Sequence, residues 1–333
     1  MDFKLFVSQV AHPFILYVLF GTLFSYVLIK QLFRMPRFQN ARAKVYMLFI
    51  PLLLPFGAFI ILQTTRYQQC ILTVDYNHKT FNMINQWLCS MGNVLATYIT
   101  PLFLLTGALA IFKAIVSLIA CNRMIRRYGF ALPENFPVLF TILRGLCHKA
   151  DIAVPRVLVT RDRFARSFTF GFKKPVIVLS QGLIDNLDED ELEAVLAHEL
   201  AHIIRSDSIL NWITVFLRDV MFFTPVMYWL FRDLSQEKEH ATDDITIALS
   251  GKPLALAGAL IKVWRMSPKN IWASIALDNF MPYPNFAAGE GALEGRITRI
   301  IDRDAYRETG LSKILLPLIA VAGSSLLLLY LVC

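Results

Sequence analysis

Residues 191–203 read ELEAVLAHELAHI, a run of apolar residues at helical intervals that contains two histidines four positions apart. On a helix these positions share one face, so His198 and His202 can present two imidazole nitrogens to one metal ion. Glu199 lies beside them, where it can hold a water molecule and accept its proton. An amphipathic surface helix is an equally good interpretation of these residues taken alone. The segment therefore predicts a helix that either binds a catalytic metal or only faces solvent.

A second acidic pattern favours the metal site. A catalytic zinc needs a third protein ligand and one open position. Glu239 and Asp243 are four residues apart in the segment 236–244, QEKEHATDD, and would share a helix face. Glu239 is then the predicted third ligand. Asp243 is predicted to accept the remaining N–H of a ligating histidine. A solvated acidic helix face is the competing interpretation.

A small sheet is predicted before the metal-binding helix. Phe136–Ala150 has helical periodicity, and β-rich runs follow it at Arg156–Thr160, Phe168–Phe172 and Val176–Leu179. The last two are predicted to form a strand pair joined by residues 173–175. Asp188 and Glu191 then have the spacing of a capping box, which predicts where the metal-binding helix begins.

The composition indicates a membrane protein. Apolar residues make up 56% of the 333 residues and charged residues only 17%, and the apolar excess lies in long uncharged blocks. Each block is long enough for the roughly 20 residues of a spanning helix. The predicted spans are Leu5–Ile29, Val45–Thr65, Thr80–Phe112 (most apolar from Val94) and Ile314–Cys333. The first is expected to be a retained span, because it is too long for a signal-peptide core and lacks a cleavage pattern.

Loop charges predict the orientation of these spans. The loop between the first two spans has five basic residues and no acidic one, whereas the next loop has only Arg66 and Lys79 against Asp75. By the positive-inside rule the N-terminus should lie outside and residues 123–312 on the cytoplasmic side. The net charge of +8 then belongs at anionic headgroups, and no nucleic-acid-binding motif is present.

The sequence leaves two structural questions open, the form of an interrupted apolar segment and the pairing of two cysteines. Ser208–Phe231 is apolar, but Arg218 and Asp219 interrupt it, so a helix or hairpin packed at the membrane face is favoured over a fifth span. Cys70 and Cys89 both fall in the loop assigned to the outside. They form either a disulfide bridge or two unpaired small apolar residues.

The chain resembles the BlaR1/MecR1-type integral membrane metallopeptidases (the M56 peptidase family) and, more distantly, the Ste24/HtpX-type peptidases. The spans match only in arrangement. The matching residues are Pro175–Leu179, Glu191–Ile203 with Arg205 and Asp207, Phe222–Trp229, and Glu237–Asp244.

The resemblance implies a bound Zn²⁺ with His198, His202 and Glu239 as ligands, Glu199 as general base and Asp243 as a carboxylate behind the ligands. It also implies hydrolysis of an extended peptide that pairs with a strand edge. The expected edge is the run Ser167, Phe168, Thr169, Phe170 and Gly171, with an ordinary sheet strand as the alternative. His240 is the nearest residue that could stabilise an oxyanion, but it is expected to be a solvent-exposed histidine.

The expected fold is therefore a mainly α membrane protein with about four transmembrane helices and an inserted α+β metallopeptidase domain of the gluzincin (HExxH) type. The domains are residues 1–122 with three spans, a cytoplasmic zinc peptidase domain at 123–312, whose residues 208–231 associate with the membrane, and a last span at 313–333. The BlaR1-type receptors have a large sensor after their last span, and no such sensor is expected here.

The expected function is a zinc endopeptidase in a bacterial cytoplasmic membrane that cuts a cytoplasmic or membrane-proximal protein, such as a repressor, in regulatory proteolysis. The alternatives are an HtpX/Ste24-like quality-control or maturation protease and a non-catalytic metal-binding scaffold or sensor. The expected partners are a protein or peptide substrate, the lipid bilayer, and either a membrane sensor protein or further copies of the chain, with no nucleic acid.

Overall fold

A computed structural model describes residues 12–35, 40–65, 79–171, 173–266, 290–302, 319 and 321–324. The chain divides into two compact units. The first comprises Met1–Ala110, Phe216–Leu234 and Glu308–Cys333, and the second comprises Ile111–Val215 and Ser235–Arg307.

The second unit contains a three-stranded sheet. The strands are β1 (Arg156–Thr160), β2 (Ser167–Phe170) and β3 (Val176–Ser180), in the order β1-β3-β2. β1 runs parallel to β3 and β2 runs antiparallel to it, with Thr169 opposite Ile177. The predicted strand pair is thus confirmed, and in the described part of the chain β2 is an edge strand.

The edge strand β2 begins one residue before and ends two residues before the predicted bounds of Phe168 and Phe172. It begins at Ser167 and ends at Phe170, before Gly171. Gly171 has a φ of 97°, a conformation that favours glycine, and a Cβ there would lie 2.8 Å from the carbonyl oxygen of Lys174. This turn ends β2, so the prediction that the strand includes Gly171 is wrong, and its predicted end at Phe172 lies outside the described residues.

Helices pack on this sheet around a common core. They are α4 (Pro137–Ala150), α5 (Gln181–Asn186), α6 (Glu189–Ile204), α9 (Pro253–Met266) and α10 (Glu290–Ile301). α6 packs against α4, α9 and β2. Fully buried aliphatic side chains such as Leu143, Leu179 and Leu196 fill the space between them. The core therefore fixes the position of α6, and with it the two histidines.

The first unit is built on long apolar helices. α1 (His12–Phe33) packs along α2 (Ala41–Thr65), and α3 (Lys79–Tyr128) runs from this unit into the second. Among the described residues, two stretches are long and apolar enough to cross a membrane, Ala41–Ile60 and Thr100–Tyr128. Their mean hydropathies are 1.9 and 2.3, and only 12% of the second is covered by the rest of the chain.

The apolar stretch of α3 lies later than the predicted third span. The helix does not end at Phe112, because the single charge of Lys113 does not break a helix. It continues to Tyr128, where Gly129, with a φ of 69°, ends it. Most of the predicted fourth span, the start of the first, and Cys70 lie outside the described residues.

The segment Ser208–Phe231 contains parts of two helices. α7 (Asp207–Val220) ends before a turn at residues 221–224, and α8 (Pro225–Ser250) begins with proline, which suits a first helical position. Within the first unit, Arg218 pairs with Asp219 at 2.8 Å and lies over the ring of Phe231. A hairpin of helices is thus the observed form of this segment.

Candidate active site

Helix α6 places the two histidines and Glu199 in the interior of the second unit. It begins with the predicted capping box, in which the Glu191 amide donates to Asp188 and the Asp188 amide donates to Glu191, at 2.8 and 3.0 Å. His198 is completely buried, Glu199 is 2% exposed and His202 is partly exposed. A solvated amphipathic face would leave these side chains in water, so that interpretation is wrong.

Helix α8 brings Glu239 to the histidines. Nε2 of His198 lies 3.5 Å from Oε2 of Glu239, and Nε2 of His202 lies 3.9 Å from Oε1. One donor atom from each of the three residues lies within 4.8 Å of the others. Zinc bonds of about 2.1 Å in a tetrahedron place neighbouring ligand atoms roughly 3.4 Å apart. The observed spacings of 3.5 and 3.9 Å are close to this value and the third lies within 4.8 Å, so small side-chain movements would bring all three donor atoms to one zinc ion.

The donor set also fits a cation chemically. Within the described part of the chain, the carboxylate of Glu239 is 6% exposed and forms ion pairs with Arg296, at 3.1 Å, and with the two histidines, but no hydrogen bond of good geometry. Burial raises the pKa of this carboxyl, but the charge of Arg296 and the two histidines outweigh burial and hold the pKa well below its ordinary range. An ionised carboxylate between two imidazoles is a ligand set that zinc prefers.

His198 has a carboxylate behind it. Its Nδ1 lies 3.3 Å from Oδ1 of Asp243, which is completely buried one turn after Glu239 on α8. Burial lowers the pKa of His198, but the neighbouring carboxylates of Asp243 and Glu239 outweigh burial and raise it to about 9. Asp243 in turn pairs with Arg296 of α10. The side chains thus form a chain from guanidinium to carboxylate to imidazole.

His202 has an equivalent partner. Ser206 adopts a φ of 57° in the turn after α6, and this turn brings Asp207 to within 2.8 Å of Nδ1 of His202. Burial raises the pKa of Asp207, but the contacts with His202 and Arg205 outweigh burial and lower it. Arg205 also donates to the carbonyl oxygen of Lys238, next to Glu239, at 2.8 Å. Each imidazole therefore turns Nδ1 to a carboxylate and leaves Nε2 for the metal.

Glu199 is fixed from the sheet. The hydroxyl of Thr169 on β2 donates to Oε2 of Glu199 at 2.8 Å, and both side chains are buried. Strand β2 therefore touches the residue predicted as general base as well as forming the edge of the sheet. This contact holds one carboxylate oxygen and leaves the other for a proton.

A cleft opens over these groups. Besides the histidines and the carboxylates, its walls include Ser167 and Phe168 of β2 and Ser208 and Asn211 of α7. Phe170 instead packs in a cluster with Cys121, away from the cleft. His240 is not among the lining residues and pairs with Glu237 at 3.5 Å. Of the predicted edge run, Ser167, Phe168 and Thr169 border the cleft.

Three residues of the site make contacts that the sequence does not predict. Asp207 is one of the residues that carry the family resemblance. Its position five residues after His202 is the only local signal that predicts its contact with that histidine. Arg296 lies more than fifty residues after Glu239 in a segment without a motif, and nothing in the sequence pairs Thr169 with Glu199. Contacts between distant elements give no periodic signal, so only the fold reveals them.

A family model described as BlaR1 peptidase M56 matches residues 63–281, more than half of the chain. The chain belongs to the BlaR1 peptidase M56 family. The matched range includes α6 and α8, and so it covers every predicted metal ligand. The three side chains that cluster in the structure therefore all lie within the range that matches the family.

Curated relatives of this M56 family member include HtpX-type proteases. Protease HtpX homolog 2 of Methanosarcina mazei is 30% identical over 38% of this chain and 55% of its own length. Protease HtpX homolog of Methanothermobacter thermautotrophicus is 27% identical over 56% of this chain and 83% of its own. The chain thus spans about half of the first relative's length.

A solved structure, Ste24p of S. mikatae, aligns with 90% of this chain and 99% of its own at 15% identity. The TM-score of 0.39 is too low to establish a shared fold.

Proposed function

We propose that this M56 family member is a zinc-dependent endopeptidase of the membrane. The observation that supports this most is the approach of His198, His202 and Glu239 to within 4.8 Å of one another beside a buried Glu199. A structural metal site is closed by four protein ligands, whereas three ligands with an open position are typical of hydrolytic zinc. A non-catalytic scaffold would have no need for Glu199 at this position.

The three side chains would hold the metal, and the carboxylates behind the histidines would orient them. Zinc bound there supplies Lewis acidity, which polarises a peptide carbonyl and lowers the pKa of water towards neutrality. Asp243 and Asp207 lie 3.3 and 2.8 Å from the Nδ1 atoms of His198 and His202, where each would accept the Nδ1 proton and so fix the tautomer that presents Nε2. The two histidines would thereby be preorganised for metal binding.

Glu199 would move the protons. Its Oε2 is held by Thr169, so the other carboxylate oxygen is available to accept a proton from the attacking water. The same group can then donate that proton to the departing amine nitrogen. Both transfers require Glu199 to keep one orientation, and the contact with the strand supports this.

The substrate would bind as an extra strand. Strand β2 pairs only with β3 among the described residues, and Ser167, Phe168 and Thr169 border the cleft. An extended peptide paired with this edge would run past the metal ligands, its backbone bound by strand hydrogen bonds. Gly171 would mark the end of this edge, because the chain turns there.

The membrane setting rests on the apolar helices and the loop charges. Thr100–Tyr128 leaves most of its apolar surface uncovered by the chain, which suits lipid rather than water. We place the protein in a bacterial cytoplasmic membrane as a multi-pass protein, N-terminus outside and site on the cytoplasmic side. Its substrate would be a cytoplasmic or membrane-proximal protein.

Two roles share this chemistry and differ in substrate. Regulatory proteolysis, with a repressor as the substrate, is the role that the resemblance to BlaR1-type peptidases implies, whereas membrane protein quality control or maturation is the role that the resemblance to HtpX-type peptidases implies. Proteomic comparison of cells that make the wild type with cells that make Glu199→Gln would separate them. A single cleaved regulator supports the first role, and accumulation of many damaged membrane proteins supports the second.

The proposal is tested by cleavage of an unfolded protein substrate with the purified full chain in detergent. Glu199→Gln should abolish cleavage, because the amide cannot accept the proton. Glu193→Gln on the same helix, where the carboxylate contacts Lys252 at the surface, is the control and should cleave normally. Undiminished cleavage by Glu199→Gln would refute the mechanism, and no cleavage by the wild type would favour the scaffold hypothesis.

A further inference from the structure

Arg296 is a buried charge in the middle of helix α10. Its side chain is 2% exposed, although an arginine is almost never so buried without partners. Taking a guanidinium out of water costs several kcal/mol unless well-placed acceptors compensate for it. The identity of its acceptors therefore indicates why the chain keeps an arginine there.

The acceptors are two carboxylates on successive turns of α8. Nε and Nη2 of Arg296 bind Oδ2 and Oδ1 of Asp243 at 2.9 and 2.7 Å, a forked pair that only a planar guanidinium can make. Its Nη1 lies 3.1 Å from Oε2 of Glu239. One side chain thus contacts both the proposed metal ligand and the carboxylate behind His198.

These carboxylates would not keep this arrangement unaided. They have the same charge, lie four residues apart on one helix face, and are both buried, so they repel one another at short range. Either carboxylate could lower this repulsion by rotating its side chain towards water. Zinc binding would then have to rotate it back, which costs free energy. A fork that grips both carboxylates removes this cost in advance.

We propose that Arg296 is a positioning residue that holds Glu239 and Asp243 in the orientation that zinc requires. The affinity of the site for zinc then depends on helix α10, which belongs to neither motif. The inference rests on the proposed metal site and deepens it: the site is built from three helices, and the third supplies no ligand.

Arg299 provides a matched control, one turn further along α10. It pairs with Asp244 of α8 at 2.6 Å and donates to the carbonyl oxygen of His240 at 3.1 Å. It therefore connects the same two helices through the same kind of pair, but within the described residues it contacts no proposed metal ligand. Arg299→Met weakens the packing of α10 without touching the metal site.

The experiment measures zinc affinity rather than activity. The full chain is purified in detergent, stripped of metal, and titrated with zinc in competition with a chromophoric chelator. Arg296→Met should raise the Kd for zinc by roughly 10- to 100-fold, the usual effect of losing a partner of a metal ligand. Arg299→Met should change it by less than about fivefold, because the partly buried ion pair that it loses does not contact a metal ligand.

A conservative variant separates positioning from charge and from folding. Arg296→Lys keeps the charge, but an ammonium cannot bridge both carboxylates, so its zinc Kd should lie between those of the wild type and Arg296→Met. Thermal unfolding of the metal-free variants identifies any that do not fold. If Arg296→Met does not fold, Arg296→Lys decides the question.

The proposal is overturned if Arg296→Met binds zinc as tightly as Arg299→Met, or if Arg296→Lys binds it as tightly as the wild type. Failure of the proposed function has a different signature, because the wild type itself would then bind no zinc or Glu199→Gln would cleave normally.

Discussion

Replacing Thr169 by valine removes one hydroxyl from strand β2 and changes little else. Valine has the same shape and the same preference for strands, so the pairing with β3 and the edge available to a substrate should be retained. What is lost is the hydrogen bond of 2.8 Å from Oγ1 of Thr169 to Oε2 of Glu199. The substitution therefore tests whether the sheet orients the general base.

The size of the effect follows from the burial of both groups. Glu199 is 2% exposed and Thr169 is 6% exposed, so water cannot readily replace the lost donor. A hydrogen bond to a charged group contributes about 1.5–3 kcal/mol. If the bond is kept in the transition state, kcat/KM falls by roughly 10- to 150-fold while zinc binding is unchanged.

The assay compares kcat/KM for a quenched fluorescent peptide and zinc content across matched variants. Thr169→Ser keeps a hydroxyl and should retain most activity. Ser167→Ala removes a hydroxyl on the same strand face that, within the described residues, makes no hydrogen bond, so it should behave like the wild type. The reasoning is refuted if Thr169→Val cleaves as fast as Ser167→Ala.

Three further predictions concern metal binding and the metal-binding helix. Asp207→Asn should raise the zinc Kd by roughly 10- to 100-fold, since the carboxylate that orients His202 is lost. Asp244 contacts neither histidine in the described structure, so Asp244→Asn should leave the zinc Kd unchanged. Equal increases in Kd for the two variants, measured by chelator competition, would contradict this prediction. Burial lowers the pKa of His198, but the neighbouring carboxylates of Asp243 and Glu239 outweigh burial and raise it to about 9. Near neutral pH, zinc must therefore displace a proton from the His198 imidazole. Zinc affinity should therefore increase with pH up to about 9, and a flat pH profile would count against it. Asp188→Ala should destabilise the fold by about 1 kcal/mol through loss of the helix cap, measured by denaturant unfolding, and an unchanged midpoint would exclude a role for the capping box.

Local features of this chain were predictable because short-range chemistry fixes them. The capping box at Asp188 begins α6 as predicted, and the strand at Arg156–Thr160 has the predicted bounds. The spacing of His198 and His202 on a helix gives a shared face whatever the tertiary structure is. Glu239 was predictable from the ligand count that a catalytic zinc needs, and the fold brings it to the histidines.

The features that were missed depend on contacts between distant elements. Arg296 reaches Asp243 across 53 residues, and Thr169 reaches Glu199 across 30, without any sequence spacing that relates them. The end of β2 was misplaced because the φ of Gly171, rather than the apolar pattern, sets it. The uncharged block Thr80–Phe112 predicted a span but not the end of its helix, because Lys113 does not stop α3 from continuing to Tyr128.

The bound zinc of the purified full chain tests the central claim most directly. Elemental analysis after gel filtration should find about one zinc ion per chain in the wild type. Glu239→Gln should lose most of it, whereas Glu237→Gln, two residues earlier on α8, should keep it. A wild type without zinc, or a Glu239→Gln variant that retains it fully, would contradict the assignment of His198, His202 and Glu239 as the metal site.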